Sequence, residues 1–304
     1  MPCRNAGQFL HAAVQSVLAQ PECLELLLAD GESTDGSLRT LEALASTDRR
    51  LRIVSRSDTG PADALNKAFR SARGTLIGWL NADDLYTSGA LARAVAALEA
   101  HPKWLMVYGE ANHINSDGDL ILPYPSRPPN AGLQAFRDGC FICQPTVVFR
   151  RTLGVMLGPF DTELQTAFDF DYWLRAFSNC PQRIGFLPSV QACSRLHSNT
   201  ITARQRETVA LEAMQLIARY CGHAPGHWLL TLLEEQINEP CCKPESETLK
   251  QQVQRLLKQT SSWLSAQDRE QLPVQLSELI EAYQRQQAIR NRIASAGSSI
   301  SPNT

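Results

Sequence analysis

Long apolar runs are missing from this sequence: nothing approaches the roughly 20 consecutive apolar residues that a membrane-spanning helix needs, so no helix is expected to cross a bilayer. A basic excess is missing as well. Lysine and arginine number 29 against 31 aspartates and glutamates, for a net charge of −2, which leaves no reserve of positive charge to neutralise nucleic-acid phosphates. A second Cys-x-x-Cys is also lacking. Cys140 and Cys143, in GCFICQP, form the only one and Cys241 and Cys242 are adjacent, so a four-ligand zinc set with two spaced pairs is not available. MPCRNAGQFL has polar residues where an apolar h-region belongs and does not read as a signal peptide. Nine cysteines, an odd number scattered through apolar segments, then read as reduced, mostly buried thiols of a cytoplasmic protein.

What is present is a chain of 304 residues, 43% hydrophobic, long enough for a sizeable core with an appendage. Its first third alternates. GQFLHAAVQSVLAQ carries Leu10, Ala13, Val14, Val17 and Leu18 at helical spacing, and LELLLAD follows as a short buried strand ending at Asp30. Ser33, Thr34 and Asp35 offer N-cap chemistry to the next helix. LRIVS, TLIGWL and WLMVYG read as further strands, separated by PADALNKAFRSAR, with Pro61 in its first turn, and SGALARAVAALEAH as helices. This βα alternation predicts a mostly parallel sheet flanked by helices, with ligands at the carboxyl ends of the strands. After residue 110 a hairpin turning at Asp117-Gly118 is expected, then a Pro-rich loop, a β-rich QPTVVFRR, a helical FDFDYWLRAF and the strand-like RIGFLP and QACSRLH. Helical segments dominate from about Thr202, and ASAGSSISPNT reads as a disordered tail. Leucines at helical spacing in that region indicate a packing face.

The stretch GWLNADDLY is the chemically distinctive one. Asn81, Asp83 and Asp84 crowd acidic and amide oxygens at a strand end, where they repel one another unless a cation or a solvated turn compensates them.

Taken in order, MPCRNAGQFLHAAVQSVLAQ, ADGESTDGS, SDTGPADALNKAF, GWLNADDLY, YGE, CQPTVVFRR, DFDYWLR and RLHSNT resemble the nucleotide-diphosphate-sugar glycosyltransferases of family 2, from residue 1 to about residue 200. The resemblance implies a GT-A (Rossmann-like) α/β fold over residues 1–201, with a nucleotide-sugar-binding half at 1–110 and an acceptor half at 111–201. It leaves a helical extension at 202–290 and a tail at 291–304 uncovered. It implies an inverting, metal-dependent transfer from a nucleotide-diphosphate sugar to a glycan, lipid-linked or protein acceptor, with Mg2+ or Mn2+ as cofactor. The setting it implies is bacterial surface-polysaccharide biosynthesis, in the cytoplasm, with any membrane contact peripheral at the inner face of the plasma membrane.

Residue by residue, the family's metal-binding triplet falls on Asn81-Ala82-Asp83. Asp83 takes the metal role, with Asn81 and Asp84 as its neighbours on the nucleotide-sugar side. Asn81 departs from the commonest Asp-x-Asp form, keeping an oxygen but removing one negative charge. His197, in RLHSNT, matches a late histidine near the diphosphate and joins Asp83 as a metal candidate. Pro2, Asp30, Asp58, Asp63 and Asn66 match nucleotide-sugar-binding positions, with Gly31 standing where a second acid is often found. For Asp58 and Asp63 a simple helix-capping role competes with that assignment. Asp169 matches the acid that deprotonates the acceptor hydroxyl. A carboxylate within hydrogen-bond reach removes the proton that makes a hydroxyl a poor nucleophile. Asp171 is expected to anchor its helix, and Gln144 to line the acceptor side. Family members carry a strand before the Pro-Cys-Arg-Asn stretch, so this chain is expected to lack its first strand, through a start placed downstream of the natural one or through truncation. The alternatives to an enzyme are a non-catalytic nucleotide-sugar binder, an impaired homologue, or an interaction protein working through its helical region.

Overall fold

A computed structural model describes residues 1–55, 57–238 and 246–297. Cys241, Cys242 and the end of the expected tail, residues 298–304, lie outside them. The chain divides into two compact units, Met1–Gln205 and Arg206–Thr304.

The first unit opens with a three-stranded parallel sheet of order β1-β2-β3, formed by β1 (Pro2–Cys3), β2 (Leu26–Asp30) and β3 (Leu51–Ser55). Every residue of β2 is buried, as expected of a parallel strand covered on both faces. The register sets Cys3, Asp30 and Ser55 side by side at the carboxyl edge. Pro2 and Cys3, at the head of the stretch before which a strand was expected to be lacking, form a two-residue strand that pairs with Ala29 and Asp30. Helix α1 (Leu10–Leu18) buries the five apolar residues read from its periodicity, and they cluster with Cys3, Leu26, Leu28 and Leu41. Helix α2 (Ser37–Thr47) follows β2, and α3 (Pro61–Ser71) starts on Pro61, where a missing N–H costs nothing.

The second sheet is mixed. Its six strands run β4 (Leu76–Gly78), β8 (Val148–Arg150), β6 (Met106–Ile114), β9 (Ile184–Arg195) and β5 (Leu85–Tyr86), with β7 (Leu120–Pro123) paired to β6. The β6–β9 pair is parallel, whereas β4–β8, β6–β8, β5–β9 and the β6–β7 hairpin are antiparallel. Among the named strands, parallel pairing is therefore confined to the first sheet and to the centre of the second. RIGFLP and QACSRLH form one continuous strand, β9. It tolerates Pro188 because the register shifts between Gly109 and Ala111 opposite it, so no ladder bond is demanded there. Helices α4 (Ala90–Ala100), α5 (Arg151–Leu157), α6 (Phe168–Asn179) and the short α7 (Ile201–Arg204) complete this unit. Helix α6 carries its large apolar residues inward, with Phe168, Phe170, Tyr172, Trp173, Leu174 and Phe177 all buried.

The second unit consists of α8 (Arg206–Cys221), α9 (His227–Asn238), α10 (Ser246–Thr260) and α11 (Ala266–Gly297). Leu249, Val253 and Leu256 on α10, and Leu272, Leu276, Ile280 and Tyr283 on α11, are buried at helical spacing. Helix α11 runs to Gly297, into the stretch read as a tail from residue 291. Among the described residues no helix is long and apolar enough to cross a membrane. The described cysteines are free thiols, with Cys3, Cys23, Cys143 and Cys180 buried.

Gly185 on β9 marks a tight contact in the second sheet, because a Cβ there would lie 2.2 Å from the rigid indole of Trp104. Gly185→Ala is expected to cost about 1–3 kcal/mol through overpacking, read as a lowered urea midpoint.

Candidate functional site

The turn between β4 and β5 holds the acidic cluster. The strand stops at Gly78, Trp79 turns inward, and its Nε1 donates to Asn81 Oδ1 at 3.2 Å. Asn81 Nδ2 in turn donates to Asp84 Oδ2 at 3.2 Å. Asp84 is 3% exposed, and its Oδ1 accepts the backbone N–H of Arg195 at 2.9 Å. Burial, followed by the neighbouring Asp83 charge, pushes the Asp84 carboxyl up to about 8. Asp84 thus works as the internal anchor of the turn.

Asp83 faces outward. Its Oδ2 lies 3.1 Å from His197 Nε2, with 28% of the Asp83 side chain and 13% of the His197 side chain exposed. The Asn199 N–H donates to His197 Nδ1 at 3.3 Å, which puts the ring proton on Nε2, where it bonds to Asp83 Oδ2 and where a bound cation would replace it. In an octahedral shell with ligand distances of roughly 2.1 Å, adjacent ligand atoms stand about 3 Å apart. The Asp83–His197 spacing therefore fits two neighbouring positions around one Mg2+ or Mn2+. Among the described residues no cluster of three His, Cys, Asp or Glu side chains suited to a metal is present. Two protein ligands would leave room for phosphate oxygens and water, the usual arrangement for such a cation on a nucleotide.

Asp30 ends β2 with both oxygens engaged by Ser33, Oδ1 by its hydroxyl and Oδ2 by its backbone N–H. Asp58 approaches from the loop before α3. Its Oδ1 accepts the Gly60 N–H at 3.1 Å, and its Oδ2 lies 2.8 Å from where a Cβ on Gly31 would stand. A side chain at position 31 would require the Asp58 carboxylate to move aside. Burial raises the Asp58 pKa. Pro2 lies beside this pair on β1, opposite Ala29.

Two expected nucleotide ligands are occupied otherwise. Asp63 pairs with Lys67 at 2.7 Å and accepts the Thr59 N–H, matching the helix-capping alternative. Asn66 is buried, donating to the Phe160 carbonyl and accepting the Phe160 N–H, both at 2.9 Å. It ties α3 to the chain ahead of α6.

Asp169 sits in the first turn of α6, enclosed by protein yet partly exposed. Its Oδ1 accepts the Phe170 N–H at 2.7 Å, and among the described residues no basic side chain pairs with it. Burial without a cation pushes it up to about 6. Phe168, its neighbour, stacks on Trp79 with centroids 5.5 Å apart, so the acidic turn and the start of α6 share one aromatic contact. Asp171 pairs with Arg175 at 2.8 Å and is buried. Gln144 donates through Nε2 to the Trp79 carbonyl, while its Oε1 is buried without a hydrogen-bond partner among the described residues.

The loops bearing these groups are laced together. Asn5 Oδ1 accepts the Thr34 N–H at 2.8 Å, and the Gly7 N–H donates to Asp35 Oδ2 at 2.9 Å. Asn5 and Glu32 both adopt left-handed φ, 53° and 60°, an uncommon conformation for residues with a Cβ. Gly36 is the N-cap of α2, with the Asp35 carboxylate one residue earlier accepting the Ser37 N–H, whereas Ser33 and Thr34 serve Asp30 and Asn5 instead. Sequence reasoning passed over Phe9, Trp79 and Arg195. Arg195 stands two residues before His197 in RLHSNT, and only the β9 register shows it facing the acidic turn.

The glycosyl transferase family 2 model matches residues 1–153. The chain belongs to glycosyltransferase family 2. A PGL/p-HBAD biosynthesis glycosyltransferase of Mycobacterium bovis is 32% identical over 194 residues, covering 59% of this chain and 68% of the relative. Chondroitin synthase of Escherichia coli is 26% identical over 176 residues, 58% of this chain but 25% of that protein. Among solved structures, S. aureus TarS 1–349 in complex with UDP-GlcNAc matches with a TM-score of 0.63 at 18% identity, covering 93% of this chain and 87% of that one. The mannosyltransferase PcManGT from Pyrobaculum calidifontis, in complex with GDP-Man and Mn2+, matches with a TM-score of 0.56 at 21% identity, covering 98% and 84%. This family 2 glycosyltransferase accordingly has the GT-A fold.

If Asn66 is structural in this glycosyltransferase, Asn66→Ala strands a buried N–H and a buried carbonyl on Phe160, each worth about 1–3 kcal/mol. The melting temperature should fall. The nucleotide dissociation constant, measured by calorimetry well below that temperature, should not change.

Proposed function

We propose that this family 2 glycosyltransferase moves a sugar from a nucleotide-diphosphate sugar to an acceptor hydroxyl with inversion, in a metal-dependent reaction. The 3.1 Å approach of Asp83 Oδ2 to His197 Nε2 carries the reading. The complexes of PcManGT with GDP-Man and Mn2+ and of TarS with UDP-GlcNAc support it.

Asp83 and His197 would hold the divalent cation, and when bound it would supply positive charge where the leaving diphosphate gains negative charge. Asp30, Asp58 and Pro2 form the nucleotide side of the 1–110 half, with Asn81 and Asp84 keeping the acidic turn in shape. Asp169 and Gln144 face the acceptor in the 111–201 half, with the helical region beyond as an extension. Asp169 takes the acceptor hydroxyl proton as the oxygen attacks the anomeric carbon. The carbon–oxygen bond to the diphosphate breaks on the opposite face, and the bonding pair leaves with the nucleoside diphosphate. An enclosed carboxylate with no cation beside it suits that task, because raising its pKa makes it a better proton acceptor. A glycan or lipid-linked hydroxyl of surface-polysaccharide synthesis, met at the cytoplasmic face of a membrane, is the acceptor class that this reading favours.

Thermal shifts of the full chain with UDP, GDP and dTDP, each with and without Mn2+, test the donor site. A ligand at 100-fold its dissociation constant adds about 2.7 kcal/mol of stability. One nucleotide should give a metal-dependent rise in melting temperature that Asp83→Asn removes. No shift with any of them overturns the reading.

Asp169 makes a separate prediction. Its pKa is raised in the folded chain from 3.8 to about 6, so the fold binds this proton more tightly than the unfolded chain does. Its contribution to stability is therefore present at low pH and lost as pH rises from about 4 to about 6. Activity runs the opposite way, with an acid limb of kcat/KM inflecting near pH 6. Asp169→Asn should cut transfer by about 10²–10⁴-fold while melting no lower than the unsubstituted chain at pH 8, since it removes a buried charge.

A further inference from the structure

We propose that Arg195 is a positioning residue for the Asp83–His197 pair, acting as a brace that holds the metal-facing carboxylate and imidazole at their separation. The proposal rests on the reading of Asp83 and His197 as the cation's protein ligands.

Arg195 is 6% exposed and ends β9. Its guanidinium makes no ion pair with either acid of the turn. Nε donates to the backbone carbonyl of Asp83 at 2.9 Å, and NH1 donates to the carbonyls of Asn115 at 2.7 Å and Ser116 at 3.0 Å. The backbone N–H of the same residue donates to Asp84 Oδ1. The acidic turn is thus gripped at two successive residues while the Asp83 carboxylate stays free of the guanidinium. An arginine bonded to that carboxylate would compete with a cation for its oxygens. Bonded to the carbonyl behind it, the arginine fixes the backbone and leaves the oxygens available.

The far side of the brace is itself fixed. Asn115 Oδ1 accepts the N–H groups of Asp117 and Asp119, both at 2.9 Å, and the Asn115 N–H donates to the Asp119 carbonyl at 2.9 Å. The hairpin turn is therefore a self-bonded anchor for the guanidinium. Phe9 completes the arrangement from the N-terminal loop. The guanidinium carbon lies 4.7 Å from its ring centre, and the His197 ring lies 4.8 Å away at 42°. One aromatic ring thus touches both the brace and the metal-facing imidazole. A lysine at position 195 offers one ammonium in place of the planar fork and cannot reproduce this set of carbonyl contacts.

The test titrates Mn2+ into the full chain in the presence of UDP, GDP and dTDP in turn, following free Mn2+ by electron paramagnetic resonance. Calorimetry measures nucleotide affinity without metal alongside. Loss of a supporting partner typically costs 10–100-fold in metal affinity, and Arg195→Lys should weaken Mn2+ binding by about that factor while metal-free nucleotide affinity holds. Phe9→Leu should weaken Mn2+ binding in the same direction by a smaller factor, and it decides the matter if Arg195→Lys does not fold. If the unsubstituted chain and Asp83→Asn bind Mn2+ alike, the ligand assignment fails and the brace with it. If Asp83→Asn weakens Mn2+ but the folded Arg195→Lys and Phe9→Leu chains stay within about twofold of the unsubstituted one, the ligands stand and the role of Arg195 is overturned.

Discussion

One backbone hydrogen bond, from the Arg195 N–H to Asp84 Oδ1, joins segments 111 residues apart in the chain and sets the geometry of the candidate site. It exists because β9 pairs with both β5 and β6, bringing the end of a late strand to the turn that follows β4. Once that bond is made, His197 lies two residues beyond it, within reach of Asp83. The long β6–β9 ladder thereby converts sheet register into ligand spacing. A slip of one residue would send every side chain of β9 to the other face. The register shift opposite Pro188 absorbs the irregularity before the strand reaches Arg195.

Burying Asp84 to make this anchor carries an electrostatic cost, which the surroundings reduce without an ion pair to the Arg195 side chain. Asp84 accepts two hydrogen bonds, from Asn81 and Arg195, and has its pKa raised by burial beside Asp83. Asn81 gains meaning in that setting. An aspartate at position 81 would add a carboxylate against Asp84 where the amide now donates a hydrogen bond to it. The departure from Asp-x-Asp removes one charge from the cluster and supplies a donor that a carboxylate lacks.

Much of the fold was legible because local pattern and burial agree. The five apolar positions of α1, Pro61 at the start of α3 and the turn at Gly118 all reflect short-range chemistry. The mixed pairing of the second sheet was not legible, because β4, β5 and β8 are short and their partners lie far along the chain. The same distance effect divides the candidate site. Asp83 and His197 stood out as chemistry-bearing residues, but their approach is a tertiary fact. Asn66 looked like a ligand and is instead committed to Phe160, 94 residues away. Arg195 did not stand out in the sequence, because nothing local shows that three carbonyls converge on its guanidinium.

Helix α6 shows how environment separates two acids that sequence alone presents as near equals. Asp169 and Asp171 are two residues apart, so a helix directs them to different sides. Asp171 is buried and meets the half-buried Arg175 one turn later, which commits its charge to holding the helix. Asp169 has no such partner among the described residues, only the Phe170 N–H, and burial raises its pKa to about 6. An enclosed carboxylate without a cation gains most from taking a proton. The arginine placed for Asp171 and absent from Asp169 therefore separates a structural acid from a candidate base on one helix.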